Sequence, residues 1–220
     1  MMVGVMGRID KVQIAYDYIK EKIINGDLKP LDDISESKIQ NELKISRTPV
    51  REALKKLKEE WFVIIYPRKG TIVTEITFEF INSIYEIRLL SEPYIYEKVC
   101  GKVSEEWLNK LEKKFLNVPK DLSDEEIRFH YINLDSELHS TLLDYYNNIF
   151  LKNTLKIVYD HNQRIRVQTS LANQTYENSI KEHLQIIKAL KEHNFKKVKE
   201  MTITHLKKSR NDAFKYLTHK

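Results

Sequence analysis

Apolar residues recur every three or four positions through most of the chain, which predicts a largely helical protein. In the N-terminal third, this spacing predicts one helix from about Asp10 to Ile24, a short helix after Ser35, and a third helix beginning near Ser46 or Thr48. The serine and threonine side chains suit N-cap positions, and Pro49 suits a first helical turn. Two short helices joined by a tight turn predict a helix-turn-helix.

The period of the pattern changes after Trp61. The segments Phe62–Tyr66 and Thr71–Val73 are rich in β-branched and aromatic residues, and they flank Pro67–Gly70, which has the composition of a turn. We therefore expect a β-hairpin placed as the wing of a winged helix.

Helical spacing returns near Phe78 and continues to the end of the chain. It predicts helices near 78–101, 104–117, 124–146, 149–171, 177–193 and 195–217, with polar breaks such as 119–121 and 172–174. The expected fold class is mainly α, with a winged helix-turn-helix of three helices plus a β-hairpin over residues 1–76. An all-α antiparallel bundle of six or seven helices follows over residues 77–220.

Composition excludes several classes of protein. Residues 1–7 lack the pattern of a signal peptide, and no run approaches the ~20 apolar residues that span a bilayer. The single cysteine, Cys100, excludes an intramolecular disulfide and fits a reducing compartment. We expect a cytoplasmic protein without a membrane partner.

Charge is distributed unevenly. Between Lys38 and Lys69 there are 9 Lys and Arg residues against 4 Asp and Glu residues, whereas residues 1–37 carry 5 against 7. Such an excess in one short segment is typical of a surface that binds phosphates, although a solvated basic helix face would give the same count.

The start of the third helix has the chemistry to read DNA. Arg47 and Arg51 are four residues apart and suit guanine edges or phosphates, while Ser46, Thr48 and the free N–H groups of the helix end can hold a phosphate. The predicted tip of the wing, Arg68–Lys69–Gly70, has the composition to enter a minor groove. The predicted partner is therefore double-stranded DNA.

Four residues in the second half could bind a metal ion. Asp135 and His139 are four apart on one predicted helix and project from one face, while His183 and His205 lie on two later helices. Three imidazoles and a carboxylate suit Zn²⁺, Ni²⁺ or a similar divalent ion. A contact on a helix surface and two histidines satisfied within the core would explain the same residues.

The N-terminal part resembles the winged-helix domain of GntR-family regulators. The resemblance rests on the run from Ser46 to Leu54 followed by the segment from Pro67 to Val73. It implies a homodimer that binds a palindromic operator, with DNA contacts from Arg47, Thr48 and Arg51 and a wing tip at Gly70.

Three positions depart from the pattern of that family. Leu31 and Trp61 stand where glycine is usual, and Ser37 stands where an arginine often contacts DNA, a contact for which Lys38 is the expected substitute. Because tryptophan is poorly suited to the left-handed conformation, Trp61 predicts a different ending for the third helix.

The region from Ile81 to Phe214 resembles the FCD ligand-binding domain of FadR-type members of the family. The matching segments are Arg88–Pro93, Asp135–His139 with Asn148, Glu182–His183 with Ile186 and Ala189, and His205–Leu206. The resemblance implies that Asp135, His139, His183 and His205 bind a divalent metal whose shell is completed by an organic acid.

The effector contacts are less sharply predicted. Arg88, Arg164 and Arg166 are the candidate counter-ions for a small carboxylate effector. An ion pair between Arg88 and Glu92, four residues apart, is an equally good explanation of the first of them.

The function expected is a ligand-responsive DNA-binding transcriptional regulator, a repressor by the usual outcome in the family, and not an enzyme. One alternative is a metal-dependent hydrolase with Glu137 or Glu182 as acid or base. Another is a regulator in which the metal serves only to stiffen the bundle.

Overall fold

The computed structural model describes residues 2–117, 121–170 and 176–218, with side chains for 10–117, 121–169 and 177–218. The polar breaks expected at 119–120 and 172–174 therefore lie outside the described residues. The chain divides into two compact units, one ending at Ile76 and the other beginning at Thr77.

The first unit is a winged helix-turn-helix. It contains α1 (Met2–Ile24), α2 (Glu36–Leu43), α3 (Arg47–Glu59), β1 (Val63–Tyr66) and β2 (Gly70–Val73). The two strands are antiparallel, with register from Val63 opposite Val73 to Tyr66 opposite Gly70, and an isolated bridge joins Asp33 to Ile72. The predicted three helices and hairpin are confirmed, although α1 begins before the predicted Asp10.

Local chemistry explains the helix-turn-helix. Ser35 caps α2 by accepting a hydrogen bond from the backbone N–H of Lys38, and Lys44 ends α2 in the left-handed conformation with φ of 53°. Ser46 is the N-cap residue of α3, but its side chain makes no capping bond. The apolar side of α3, including Leu57, packs on α1 and on the buried Phe62.

The prediction drawn from Trp61 was wrong. Trp61 itself adopts the left-handed conformation, with φ of 64°, and its N–H donates to the carbonyl of Lys58 while the N–H of Phe62 donates to that of Leu57. These two hydrogen bonds, together with the burial of Phe62, end α3 in the same way as a glycine at position 61 would. Leu31, with φ of 71°, likewise takes the conformation expected of glycine.

The second unit is all helical. Its described residues form α4 (Phe78–Val99), α5 (Glu105–Leu116), α6 (Asp124–Asp144), α7 (Ile149–Ser170), α8 (Tyr176–Lys191) and α9 (Phe195–Thr218). Long α4 packs mainly on α9, and α9 packs in turn on α8. The predicted helical bundle is confirmed. Among the described helices, none is long and apolar enough to cross a bilayer.

Candidate metal centre and nucleic-acid interface

Four buried side chains converge inside the bundle. Asp135 and His139 come from α6, His183 from α8 and His205 from α9. One candidate ligand atom from each residue lies within 4.8 Å of the other three. The Asp135 Oδ1 atom is 3.0 Å from His183 Nε2 and 3.6 Å from His139 Nε2. Residues up to 70 positions apart in sequence therefore meet at one point.

The polar atoms of this cluster fit a cation better than they fit one another. Both carboxylate oxygens of Asp135 and the Nε2 atoms of His183 and His205 are buried and make no hydrogen bond of good geometry, even where Oδ1 and the His183 Nε2 atom lie close together. Buried polar atoms are rarely left in this state unless an ion or a water satisfies them. Carboxylate oxygen and imidazole nitrogen are also the donors that Zn²⁺ and Ni²⁺ accept.

Protonation favours metal binding at three of the four side chains. Burial raises the pKa of the Asp135 carboxyl, but the charge of Arg166 and the neighbouring His139 outweigh burial and hold that pKa well below its ordinary value. Burial lowers the pKa of His183, and burial with the adjacent imidazoles lowers that of His205 well below its usual range. An ionised carboxylate and two neutral imidazoles are in the protonation states that a metal needs.

His139 has a different environment because a second carboxylate holds it. Its Nδ1 atom lies 2.9 Å from Glu92 Oε2 and 2.5 Å from the hydroxyl of Tyr96. Burial opposes protonation of His139, yet the charge of Glu92 raises the pKa of the imidazole above its ordinary value. Contacts at Nδ1 leave Nε2 directed toward Asp135.

Arg88 forms an ion pair with Glu92, which was the alternative to a contact with an effector. Its guanidinium is fully buried and donates to Glu92 at 2.5 Å and to the Asn162 Oδ1 atom at 2.6 Å. Arg88 Nη2 also lies 3.2 Å from His139 Nε2, so the pair borders the four-residue cluster. Its role toward an effector stays a prediction.

Of the other two predicted effector residues, Arg166 is the one placed beside the cluster. Its Nη1 atom lies 3.3 Å from Asp135 Oδ1, and its side chain is 15% exposed. Arg164 precedes it by two residues on α7 and so projects from a different side of the helix, about 200° away. It is fully buried, and burial lowers its pKa to about 10.

A basic groove of about 850 Å³ lies between α2, α3 and the hairpin. Arg47, Arg51, Arg68, Lys69 and Gly70 all line it, together with Lys55. The predicted residues of the recognition helix and of the wing tip thus share one surface. Ser46 and Thr48 are exposed at the start of α3 but do not line the groove.

Lys38 does not join this groove. It lines a separate cleft with Tyr18, Lys22 and Glu42, whereas Ser37 faces the groove. The expectation that Lys38 replaces a missing arginine at position 37 stays a prediction.

Sequence reasoning missed Glu36, which links the two predicted DNA-reading arginines. Its carboxylate accepts hydrogen bonds from Arg47 Nε at 2.7 Å and from Arg51 Nε at 3.0 Å. Burial raises the pKa of Glu36, but the two guanidinium groups outweigh burial and lower it overall. Because both bonds use Nε, the terminal nitrogens of each arginine remain available to DNA.

The fold and the basic groove define a winged helix-turn-helix joined to an all-helical unit, and comparison with known proteins gives the class, a DNA-binding transcriptional regulator, and the family. Residues 11–73 match the family described as bacterial regulatory proteins, gntR family, and residues 83–208 match the FCD domain. The chain belongs to the GntR family and carries an FCD domain.

Curated relatives agree with this assignment. The chain is 29% identical over 190 residues to the uncharacterised HTH-type transcriptional regulator YdhC of Bacillus subtilis, covering 86% of this chain and 85% of YdhC. It is 29% identical over 182 residues to the gluconate operon transcriptional repressor of Bacillus licheniformis, covering 79% and 72%. These relatives are regulators and not enzymes, so the hydrolase alternative is set aside.

Solved structures share the fold. A GntR transcriptional regulator from Rhodococcus sp. RHA1 superposes with a TM-score of 0.80 at 19% identity, covering 93% of this chain and 98% of that one. A Zn²⁺-bound FCD domain of the transcriptional regulator TM0439 superposes with a TM-score of 0.54 at 22% identity, covering 66% and 99%.

Proposed function

We propose that this regulator is a metal-containing repressor that leaves its operator when a small organic acid binds in the FCD domain. The observation that carries the sensor part is the convergence of Asp135, His139, His183 and His205 with buried atoms that lack hydrogen-bond partners. The Zn²⁺-bound domain of TM0439 and the gluconate repressor of B. licheniformis support the metal and the sign of regulation by analogy.

The chain's own residues would divide the work at this site. The four ligands would hold a divalent ion, Zn²⁺ or Ni²⁺ by donor type, and the ion would offer a Lewis-acidic position to an effector carboxylate. Arg166 lies close enough to the cluster to face a second anionic group of the effector. Arg88 already pairs with Glu92 and Asn162, so it would serve mainly to hold the wall of the site.

The DNA-binding part rests on the basic groove. Arg47 and Arg51 would reach base edges or phosphates, and Arg68 and Lys69 would follow the backbone from the hairpin. A homodimer would place two such grooves on the two halves of a palindrome.

The metal is tested by elemental analysis of the purified chain and of its His183→Ala variant. The proposal expects about one Zn or Ni per wild-type chain and a large loss in the variant. His130→Ala, on α6 but outside the cluster, is the matched control and should retain the metal. A wild-type protein that binds neither ion from buffers of defined metal content would overturn the metal assignment.

DNA binding and sensing are tested together. Duplexes enriched from a random library by the wild-type protein serve as probe, and Arg51→Ala should weaken binding tenfold or more while Lys58→Ala, outside the groove, changes it little. A thermal-shift screen of mono-, di- and tricarboxylates then identifies acids that bind the metal-loaded protein. If acids stabilise the metal-loaded protein and none of them releases the DNA probe, the result favours a metal with a structural role and contradicts a metal with a sensory role.

A further inference from the structure

Glu182 touches the metal cluster without belonging to it. Its Oε2 atom lies 3.0 Å from Nδ1 of His205, and its Oε1 atom lies 3.0 Å from Nζ of Lys208. The carboxylate is 11% exposed, and Glu182 is not one of the four residues whose ligand atoms converge.

The contact bears on which nitrogen of His205 carries a proton. A carboxylate that is ionised only accepts hydrogen bonds, and beside such a group the facing Nδ1 atom would be the donor. In a neutral imidazole this leaves the lone pair on Nε2. That Nε2 atom is the one buried without a partner inside the cluster.

The positions of these residues on two helices explain how the contacts of Glu182 arise. On α8, Glu182 directly precedes the ligand His183, so one helix supplies a ligand and also the group that orients a ligand on its neighbour. On α9, His205 and Lys208 are three residues apart and lie on one side, where each contacts a different oxygen of Glu182. The carboxylate is therefore held at both oxygens.

We propose that Glu182 is a positioning residue of the metal centre, which fixes His205 in the Nδ1–H tautomer and directs Nε2 at the cation. The inference rests on the proposed function only in requiring that the four residues bind a cation. It also assigns Glu182 a role other than general acid or base, because both of its oxygens are engaged by α9.

The experiment uses the full chain and Zn²⁺ alone as the probe, with affinity measured by competition against a chromophoric chelator. Removing a carboxylate that orients a metal-bound histidine weakens metal binding roughly 10- to 100-fold, which is the expectation for Glu182→Ala. Glu182→Gln retains an acceptor oxygen and should fall between that variant and the wild type. Glu177→Gln, exposed on the same helix, is the matched control and should bind as the wild type does.

A second readout is independent of metal affinity. In the metal-free protein labelled with ¹⁵N-histidine, His205 should show Nδ1 protonated, and Glu182→Ala should give a mixture of the two tautomers; His205→Gln identifies the signal. A purely structural Glu182 would change stability but not the tautomer.

The outcomes separate the two proposals. A wild-type chain that binds no Zn²⁺ overturns the metal assignment and, with it, this role for Glu182. A wild-type chain that binds Zn²⁺ no better than Glu182→Ala, with an unchanged tautomer, overturns the positioning role alone. If Glu182→Ala does not fold, the variants Glu182→Gln and Lys208→Ala test the same proposal. A Zn²⁺ affinity and a His205 tautomer that are unchanged in both variants would contradict the positioning role of Glu182.

Discussion

At the scale of single residues, some members of the candidate sites could be predicted from the sequence and others could not. Asp135 and His139 are recognisable from sequence because a spacing of four places them on one helix face, and His183 and His205 follow from the resemblance to a known domain. Glu36 could not be found in this way. Its partners are 11 and 15 residues away on another helix, and no periodicity links them.

Trp61 shows a residue that the fold forces into an unfavourable conformation. A left-handed backbone costs a residue with a Cβ atom about 1–2 kcal/mol, whereas the flexibility of glycine in the unfolded chain costs about 0.5–1 kcal/mol. Since Trp61 has φ of 64° and is 71% exposed, Trp61→Gly should raise the free energy of unfolding by about 0.5–1 kcal/mol. Urea denaturation followed by circular dichroism measures this.

Trp61→Ala is the control for that substitution, because it removes the ring but retains the Cβ atom. It should give no such gain. Equal stability in the glycine and alanine variants would show that the backbone conformation is not the source of strain.

The buried pair of Arg88 and Glu92 makes stability depend on pH. Burial alone would raise the pKa of Glu92, but Arg88 and His139 lower it to about 2, below its ordinary value of 4.5. Ionised Glu92 therefore contributes stability that is complete above about pH 5 and is lost as the pH falls toward 2. Glu92→Gln leaves Arg88 buried without its counter-charge, so we expect a loss of about 3–5 kcal/mol at pH 7.

Unfolding of the metal-free protein in urea at pH 7, 4 and 3 checks this expectation. The difference in the free energy of unfolding between the wild type and Glu92→Gln should become smaller as the pH falls. Glu86→Gln, exposed on the same helix, should have little effect. A difference that stays constant with pH would contradict the assigned ion pair.

At the scale of elements, the helices were more predictable than their endings and contacts. The spacing of apolar residues located the six described helices of the bundle, and the β-branched and aromatic segments around a turn located the hairpin of the wing. It did not show that the end of α3 keeps a left-handed residue, because hydrogen bonds to Lys58 and Leu57 and the packing of Phe62 outweigh the local preference of tryptophan. It also did not show that α2 carries a carboxylate to the start of α3.

The contact between α2 and α3 places a negative charge, that of Glu36, in the basic groove. Glu36 is the acidic member of the residues that line it, so removing its charge should strengthen sequence-independent attraction to phosphates. We expect Glu36→Gln to bind random-sequence duplex several-fold more tightly at low salt, with a steeper dependence on salt. Fluorescence anisotropy at several salt concentrations measures both quantities.

Glu59→Gln, at the end of α3 and outside the groove, is the control for this charge change. It removes the same charge from the same domain. If both variants gain affinity equally, the effect comes from net charge and not from the position of Glu36.

At the scale of the whole molecule, one face of α4 exposes a stripe of apolar side chains. Ile87, Leu90 and Tyr94 follow each other at helical spacing and are 38%, 76% and 46% exposed. The opposite side of α4 carries buried residues such as Arg88 and Glu92. An exposed apolar stripe of this kind is typical of an interface, and it supports the proposed homodimer.

If the proposed homodimer uses this stripe, Leu90→Glu should give a monomer and weaken binding to a palindromic duplex more than to a half-site. Sedimentation velocity measures the first effect and anisotropy the second. Leu116→Glu, which is 62% exposed in the wild type at the end of α5, should leave the dimer intact. A Leu90→Glu protein that remains dimeric would exclude this face as the interface.

The separation of Asp135, His183 and His205 on three helices has a consequence for the lifetime of the protein. An ion held by all three would act as a cross-link between α6, α8 and α9, adding to the free energy of unfolding in proportion to the logarithm of its concentration above its dissociation constant. Copies that lack the ion would open more often and be degraded sooner. The cellular supply of the metal would then govern how many regulator molecules persist, before any organic acid reaches them.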